Sequence, residues 1–389
     1  MNTSAATSQT VLIAHPSPDL YGSDRVMLET VSGLLDAGCR VVVALPGEGP
    51  LVAALLERGA ESVVCPSPVL RKSSLSPLGL LRLAAETARG LFSSLSLIRR
   101  VRPSVILINT LTIPLWVAVG RLSRLPVVCH VHEAERSASN VLRRVLYAPL
   151  LLTTSIIANS RFCLETMSSA WPSLARRTEI VYNGVVGPEQ AAPPRSTLDV
   201  VRLLFVGRLS PRKGPQVAVT AVERLRHRGI PVQLALLGAV FPGYEWFETE
   251  LRDQVTACGL DDAVNFLGFD PDVWGHVARS DIVIVPSVVD EPFGNTAVEA
   301  MLAERPLVVS ATSGLLEAAD GYATARQVTP DDPQAIADAV AELADDWGAV
   351  IAQVGADRKL AISRHAPEVY RRRVVEIVTK PHSTGSRTS

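Results

Sequence analysis

Glu291 and Glu299 stand in the run Asp290-Glu-Pro-Phe-Gly-Asn-Thr-Ala-Val-Glu-Ala300, and Arg208 and Lys213 in the run Gly207-Arg-Leu-Ser-Pro-Arg-Lys-Gly-Pro215. Two carboxylates can accept hydrogen bonds from sugar or ribose hydroxyls. An arginine fork and a mobile lysine charge together fit a diphosphate. The second run is not a Walker loop, because its lysine is followed by glycine, and it is not a Gly-x-Gly-x-x-Gly dinucleotide fingerprint. A plain solvated turn is the competing reading of such an Arg-rich loop.

What these residues can do depends on the elements that carry them. Residues 281–286 read as a short buried strand, and 295–304 as a helix opened by Asn295 or Thr296, with Pro292 and Gly294 preventing an earlier start. Glu291 then rides the loop leaving the carboxyl end of a strand, and Glu299 lies one turn inside the following helix. Open α/β sheets bind ligands at that edge, and a helix start favours an anion. Thr296 and Glu299 also have capping-box spacing, in which the glutamate only ties down its own helix. Arg208 and Lys213 leave strand 201–206, and Pro215 suits the first position of the next helix.

Apolar runs at 10–14, 40–45, 104–109, 126–131, 155–159 and 179–182 alternate with helical stretches at 50–59, 77–101, 138–152 and 160–170, after a first helix capped by Ser23 or Asp24 and stopped at Gly38. Residues 187–199 hold three prolines and little that could form a core, which marks a linker. The pattern then restarts, with strands at 201–206, 232–237, 263–267, 281–285 and 306–310 and helices at 215–228, 246–258, 272–279, 295–304 and 333–345. The expected fold class is α/β, with two doubly wound Rossmann-like domains facing across a cleft. The expected boundaries are 1–190 and 191–366, with a last helix at 367–380 packing back on the first domain and a disordered tail at 380–389.

Composition narrows the function. The chain has 389 residues, 47% of them hydrophobic and 20% charged, enough for two cores in a soluble globular protein. Five scattered cysteines without a Cys-x-x-Cys pair predict neither a disulfide framework nor a zinc knuckle. The first residues lack the basic-then-apolar pattern of a signal peptide, and no uncharged apolar window is long enough to span a bilayer, so a cytoplasmic location is expected. Residues 71–144 carry 12 basic against 3 acidic side chains. They form either a solvated helix face or a docking surface for anionic lipid on the inner membrane face. The arginines follow no nucleic-acid-binding pattern. His130 and His132 share one strand face but lack a third metal ligand. Asp270-Pro-Asp272 imitates a metal-binding Asp-x-Asp, yet reads as a turn with an N-cap.

The ordered set Arg208-Leu-x3-Lys213-Gly214, Pro286-Ser287, Glu291-Pro-Phe-Gly294 and Glu299-Ala-Met301 resembles the signature of family 4 glycosyltransferases of GT-B fold. His132-Glu133, Asn159-Ser160 and Asn183-Gly-Val185 match that family in place and type, and the likeness covers roughly residues 10–375. The resemblance implies a retaining transfer of sugar from a nucleoside diphosphate sugar to an acceptor hydroxyl through an oxocarbenium-like state, with no metal or other cofactor. Under it, Arg208 and Lys213 hold the diphosphate, Glu291 the sugar and Glu299 the ribose. Gly22, Phe293, Gly294, Asn295 and Thr296 lie along the donor, the last ones through backbone amides. His132 reaches the sugar from the opposite domain, and Ser23 or Asp24 positions the acceptor. Two departures stand out: Tyr21-Gly22-Ser23 where the family often has adjacent glycines, and Ser313-Gly314-Leu-Leu-Glu317 where it has Gly-Gly-x-Pro-Glu.

The expected partners are a nucleotide sugar, a carbohydrate or lipid-linked acceptor and an anionic membrane surface, but no nucleic acid. Two other classes suit the architecture. A non-hydrolysing sugar-nucleotide epimerase would convert donor without acceptor, so a donor-only incubation separates it. An inactive sugar- or nucleotide-binding partner would tolerate Lys213→Ala.

Overall fold

The computed structural model describes residues 9–20, 22–70 and 77–381. The start of the chain, the first residues of the basic stretch and the tail from 382 lie outside the described residues, as does Tyr21. The chain divides into two compact units, one formed by Met1–Gly184 with Pro367–Ser389 and the other by Val185–Ala366.

The first unit runs β1 (Thr10–Ala14), α1 (Gly22–Asp36), β2 (Arg40–Leu45), α2 (Pro50–Glu57), β3 (Glu61–Val64), α3 (Pro77–Val101), β4 (Val105–Ile108), α4 (Leu115–Leu122), β5 (Val127–Val131), α5 (Asn140–Tyr147), β6 (Ser155–Ala158), α6 (Arg161–Ala170) and β7 (Thr178–Ile180). Its strands form one parallel sheet in the order β3-β2-β1-β4-β5-β6-β7. Successive side chains of a strand point to opposite faces. Leu12, Ala14, Val42 and Ala44 accordingly enter one apolar core, and Val11, Ile13, Val41 and Val43 the other. Both faces are covered, which is why these strands read as unbroken apolar runs.

The second unit runs β8 (Val201–Val206), α7 (Pro215–His227), β9 (Val232–Leu237), α8 (Glu245–Ala257), β10 (Val264–Gly268), α9 (Val273–Arg279), β11 (Ile282–Val285), α10 (Asn295–Leu302), β12 (Leu307–Ser310), α11 (Ser313–Ala318), β13 (Ala325–Val328), α12 (Pro333–Asp345) and α13 (Trp347–His365). Its parallel sheet has the order β10-β9-β8-β11-β12-β13. A last helix, α14 (Pro367–Thr379), belongs to the first unit and inserts Tyr370, Val374, Ile377 and Val378 into the core beside α1. There Thr30 and Tyr370 hydroxyls lie 2.5 Å apart, and Arg371 donates to Glu29 at 2.6 Å.

Several elements depart from the sequence expectation. Strands β3 and β13 are edge strands, partly solvated, so their segments lack the apolar run that marks a central strand. The helix expected at 138–152 is split: α5 ends at Tyr147, and Pro149 falls in a 3-10 turn at Ala148–Leu152, because proline cannot donate within a continuing helix. Helix α1 begins at Gly22, so Ser23 and Asp24 lie within its first turn and do not precede it. Residues 187–199 are strapped to the second unit: Arg195 donates to both oxygens of buried Asp281, Arg305 donates to the Ala192 carbonyl, and the Trp347 indole donates to the Arg195 carbonyl.

Candidate functional site

Strands β8 and β11 are neighbours in the second sheet, and β9 and β12 lie outside them on opposite sides. The chain order therefore reverses between β8 and β11, and the crevice beyond their carboxyl ends is the switch point where such sheets take ligands. The loop after β8 carries Arg208 and Lys213, and the loop after β11 carries Glu291. At that point Lys213 Nζ meets Glu291 Oε1 at 2.9 Å.

Local chain geometry makes the meeting possible. Gly214 takes φ +74°, and a Cβ there would fall 1.9 Å from the Pro286 carbonyl oxygen. Only glycine lets the two loops approach so closely. The Val288 amide donates to the Arg212 carbonyl at 2.9 Å, stitching one loop to the other. Ser287 Oγ donates to Glu291 Oε1 at 3.0 Å, so the carboxylate is held on one oxygen by a hydroxyl and an ammonium. One of the three lysine N–H groups serves that bond.

Ser313 grips the backbone of Glu291 in both directions, accepting from its amide at 2.9 Å and donating to its carbonyl at 3.0 Å. Gly314 donates to the same carbonyl, and a Cβ on it would lie 2.3 Å from the Pro292 carbonyl oxygen. Where the family has two glycines, the first is here a serine held at φ 37°, a left-handed conformation that costs a non-glycine residue on the order of 1 kcal/mol or more. Its two hydrogen bonds offset that cost. Ser287 and Ser313 carry no signal of their own in sequence; the family motif around them is what points to them.

The remaining donor-side residues take distinct places. Arg208 is exposed, its guanidinium 3.2 Å from the centroid of the Phe241 ring. Gly294 caps α10 at φ 116°, Asn295 is the first helical residue and Thr296 the second, so Thr296 is not the N-cap that a capping box with Glu299 requires. Glu299 is half-buried on the same helix. The Phe293 ring is buried, 5.5 Å from that of His365, which leaves its backbone as the part able to face a ligand.

In the first unit the order reverses between β1 and β4. His15 follows β1, Asn109 follows β4 and His132 follows β5. They are joined: His15 Nε2 to Asp24 Oδ1 at 2.8 Å, Asn109 Nδ2 to His15 Nδ1 at 3.1 Å, and His132 Nε2 to Asn109 Oδ1 at 3.2 Å. Asp24 is thus a buried carboxylate held by His15. Ser23 remains exposed beside it, and Gly22 opens the helix. Burial, reinforced by the charge His15 can carry and opposed by Asp24, pushes His132 down to about 3. Burial also raises Glu133, against hydrogen bonds from the Thr110 hydroxyl and the amides of His132 and Leu111. His15 and Asn109 escaped the sequence reading; their position directly after strands of the sheet was the available signal.

Among the described residues no group of three or more His, Cys, Asp and Glu is arranged to hold a metal ion. Asp272 caps α9 by accepting from the Gly275 amide, and Asp270 accepts from the Asp272 amide, so the Asp-Pro-Asp run is a turn and a cap. All five cysteines are free thiols.

Two Rossmann-like units, with a lysine and a glutamate meeting at the switch point of the second, define a GT-B glycosyltransferase architecture. The description Glycosyltransferase Family 4 matches residues 21–186, and Glycosyl transferases group 1 matches residues 188–356. The chain belongs to the family 4 glycosyltransferases. It is similar to an uncharacterized glycosyltransferase of Methanocaldococcus jannaschii, 28% identical over 249 residues, 58% of this chain and 62% of that protein. It is also similar to a glycogen synthase of Mycobacterium tuberculosis, 30% identical over 264 residues, 62% of this chain and 60% of that protein. The match thus spans about three fifths of each of these curated relatives. In fold it is similar to Anabaena Alr3699/HepE, solved in complex with UDP and glucose, with a TM-score of 0.79, 22% identity and coverage of 95% of this chain and 99% of that one.

Proposed function

We propose that this chain transfers a sugar from a nucleoside diphosphate sugar to an acceptor hydroxyl with retention of configuration. The observation that carries the reading is the Lys213–Glu291 pair at the switch point between β8 and β11. It sets a cation and a sugar-binding carboxylate within a few ångströms, the separation between a diphosphate and the sugar attached to it. Lys213 and Arg208 neutralise the diphosphate as the glycosidic bond breaks, the task a metal ion performs in other transferases. Glu291 accepts from sugar hydroxyls and Glu299 from the ribose. The amino-terminal amides of α10 favour the phosphate charge. The complex of Alr3699/HepE with UDP and glucose supports a uridine nucleotide as the first donor to try.

We further propose that the acceptor is presented at an anionic membrane surface. Helix α5 exposes Val141, Leu142 and Val145, and Leu152 is exposed just beyond it. Arg136 and Arg144 are exposed on and before the same helix, which has no acidic residue of its own. An apolar ridge flanked by arginines suits insertion at an anionic headgroup layer. No helix among the described residues is long and apolar enough to cross a membrane.

A thermal-shift panel of nucleoside diphosphates and their sugars tests the donor, since a ligand at 100 times its Kd stabilises by about 2.7 kcal/mol. No shift with any of them would overturn the reading. Sedimentation with anionic vesicles at low salt, lost in Val141→Asp/Val145→Asp, tests the surface. Absence of wild-type sedimentation would remove it.

A further inference from the structure

Strand β9 is the other neighbour of β8, and the loop leaving it lies against the loop that carries Arg208. Gly238 takes φ 147°, and a Cβ there would fall 1.8 Å from the Gly207 carbonyl oxygen, so only glycine permits the approach. The Gly207 amide donates to the Leu237 carbonyl at 2.9 Å, and the Leu209 amide to the Ala239 carbonyl at 3.1 Å. Arg208 is therefore tied to the β9 side through both of its chain neighbours. Two residues beyond Ala239, half-buried Phe241 sets its ring against the Arg208 guanidinium, whose Cζ lies 3.2 Å from the ring centroid.

A guanidinium carries its N–H groups in its own plane and none on its faces, so a ring on one face attracts the charge without engaging a donor. Such a stack fixes the plane and directs the N–H edge outward, the geometry in which arginine meets a phosphate with parallel bonds. A lysine ammonium has no face to lay on the ring. An exposed arginine that its ligand must immobilise loses rotamer freedom on binding, and one already stacked loses less. We propose that Phe241 is a positioning residue that holds the Arg208 guanidinium on its ring and presents the N–H edge to the diphosphate of the donor. This rests on the reading that Arg208 holds that diphosphate. The loop after β9 thereby joins the loops after β8 and β11 in building one binding edge, although Phe241 itself acts only through Arg208.

The test is calorimetric titration of the full chain with UDP, GDP and ADP in parallel, the tightest being carried through a double-variant cycle of Phe241→Leu, Arg208→Ala and both together. Phe241→Leu should weaken binding about tenfold, the size of one cation–π contact, and Phe241→Tyr should stay within about twofold of the parent. The double variant should bind no more weakly than Arg208→Ala alone, because the ring then has no cation to hold. A Phe241→Leu loss that persists in full without Arg208 marks a structural role and overturns the inference, as does a Phe241→Leu protein that binds like the parent while Arg208→Ala does not. Parental binding of none of the three nucleotides, or Arg208→Ala binding unweakened, removes instead the reading that Arg208 holds a diphosphate, so the two failures are separable. Should Phe241→Leu not fold, Phe241→His reads the same contact. Its ring stacks when neutral and repels the guanidinium when protonated, so affinity relative to the parent should fall as pH drops through about 6.5, and no such fall overturns the inference.

Discussion

Lys213 Nζ and Glu291 Oε1 lie 2.9 Å apart, although the two residues leave different strands. The pair joins the loops that flank the switch point of the second sheet, and each partner is the other's electrostatic complement. The side chains are 37% and 11% exposed, so the pair belongs to the rim of the crevice and contributes little to global stability.

Lys213→Ala and Glu291→Ala should each lower kcat/KM by about 100-fold or more while changing unfolding free energy by less than about 1 kcal/mol. The double variant should lose far less than the product of the two, because the residues act on one bound molecule. Steady-state kinetics of all four proteins, alongside urea unfolding, checks this; strictly multiplicative losses would show that the groups act apart.

Gly214→Ala should cost more than about 2 kcal/mol, combining a left-handed backbone with a collision at the Pro286 carbonyl. Loop separation would also pull Lys213 from Glu291, so nucleotide binding should weaken with stability. Calorimetric melting and nucleotide titration on the same preparation measure both. A variant as stable as the parent would refute the close approach.

Acid should destabilise the first unit through its buried histidines. Burial, and next the neighbouring His132, holds His130 well below the usual imidazole range, and burial holds His132 down to about 3. Both groups bind protons more readily in the unfolded chain, whose histidines titrate near about 6.5. The stability they confer is therefore full above about pH 6.5 and is lost as pH falls from there toward about 3, by at most about 1.4 kcal/mol per pH unit for each. Denaturant unfolding at neutral and mildly acid pH checks the slope, which should be shallower in His130→Phe.

Asp281→Ala should cost about 3 kcal/mol, because it strands the partly buried Arg195 guanidinium and frees the strap at 187–199. Limited proteolysis should then cut within that strap. A cleavage pattern identical to the parent would contradict its anchoring role.

The legible part of the fold was the part written in local pattern. Central strands such as β1, β4 and β11 announce themselves because burial on both faces demands unbroken apolar residues. Edge strands β3 and β13 do not, since half of each faces solvent and obeys no such demand. The site divides in the same way. Arg208, Lys213, Glu291 and Glu299 were readable as a set because they stand beside glycines and prolines after predicted strands. Ser313 was visible only as a departure, and its two-way grip on Glu291 depends on a loop arriving from after β12.

By itself the sequence determined the central strands, most of the helices between them, the two α/β units and the residue types that suit a diphosphate and a sugar, because periodicity and turn chemistry are local properties of the chain. Tertiary structure alone decided that β11 lies beside β8, which is what brings Glu291 to Lys213. It alone decided, too, that β1, β4 and β5 align His15, Asn109 and His132 in one file. Strand order arises from packing between segments far apart in the chain, and no local pattern encodes which neighbour a strand will choose.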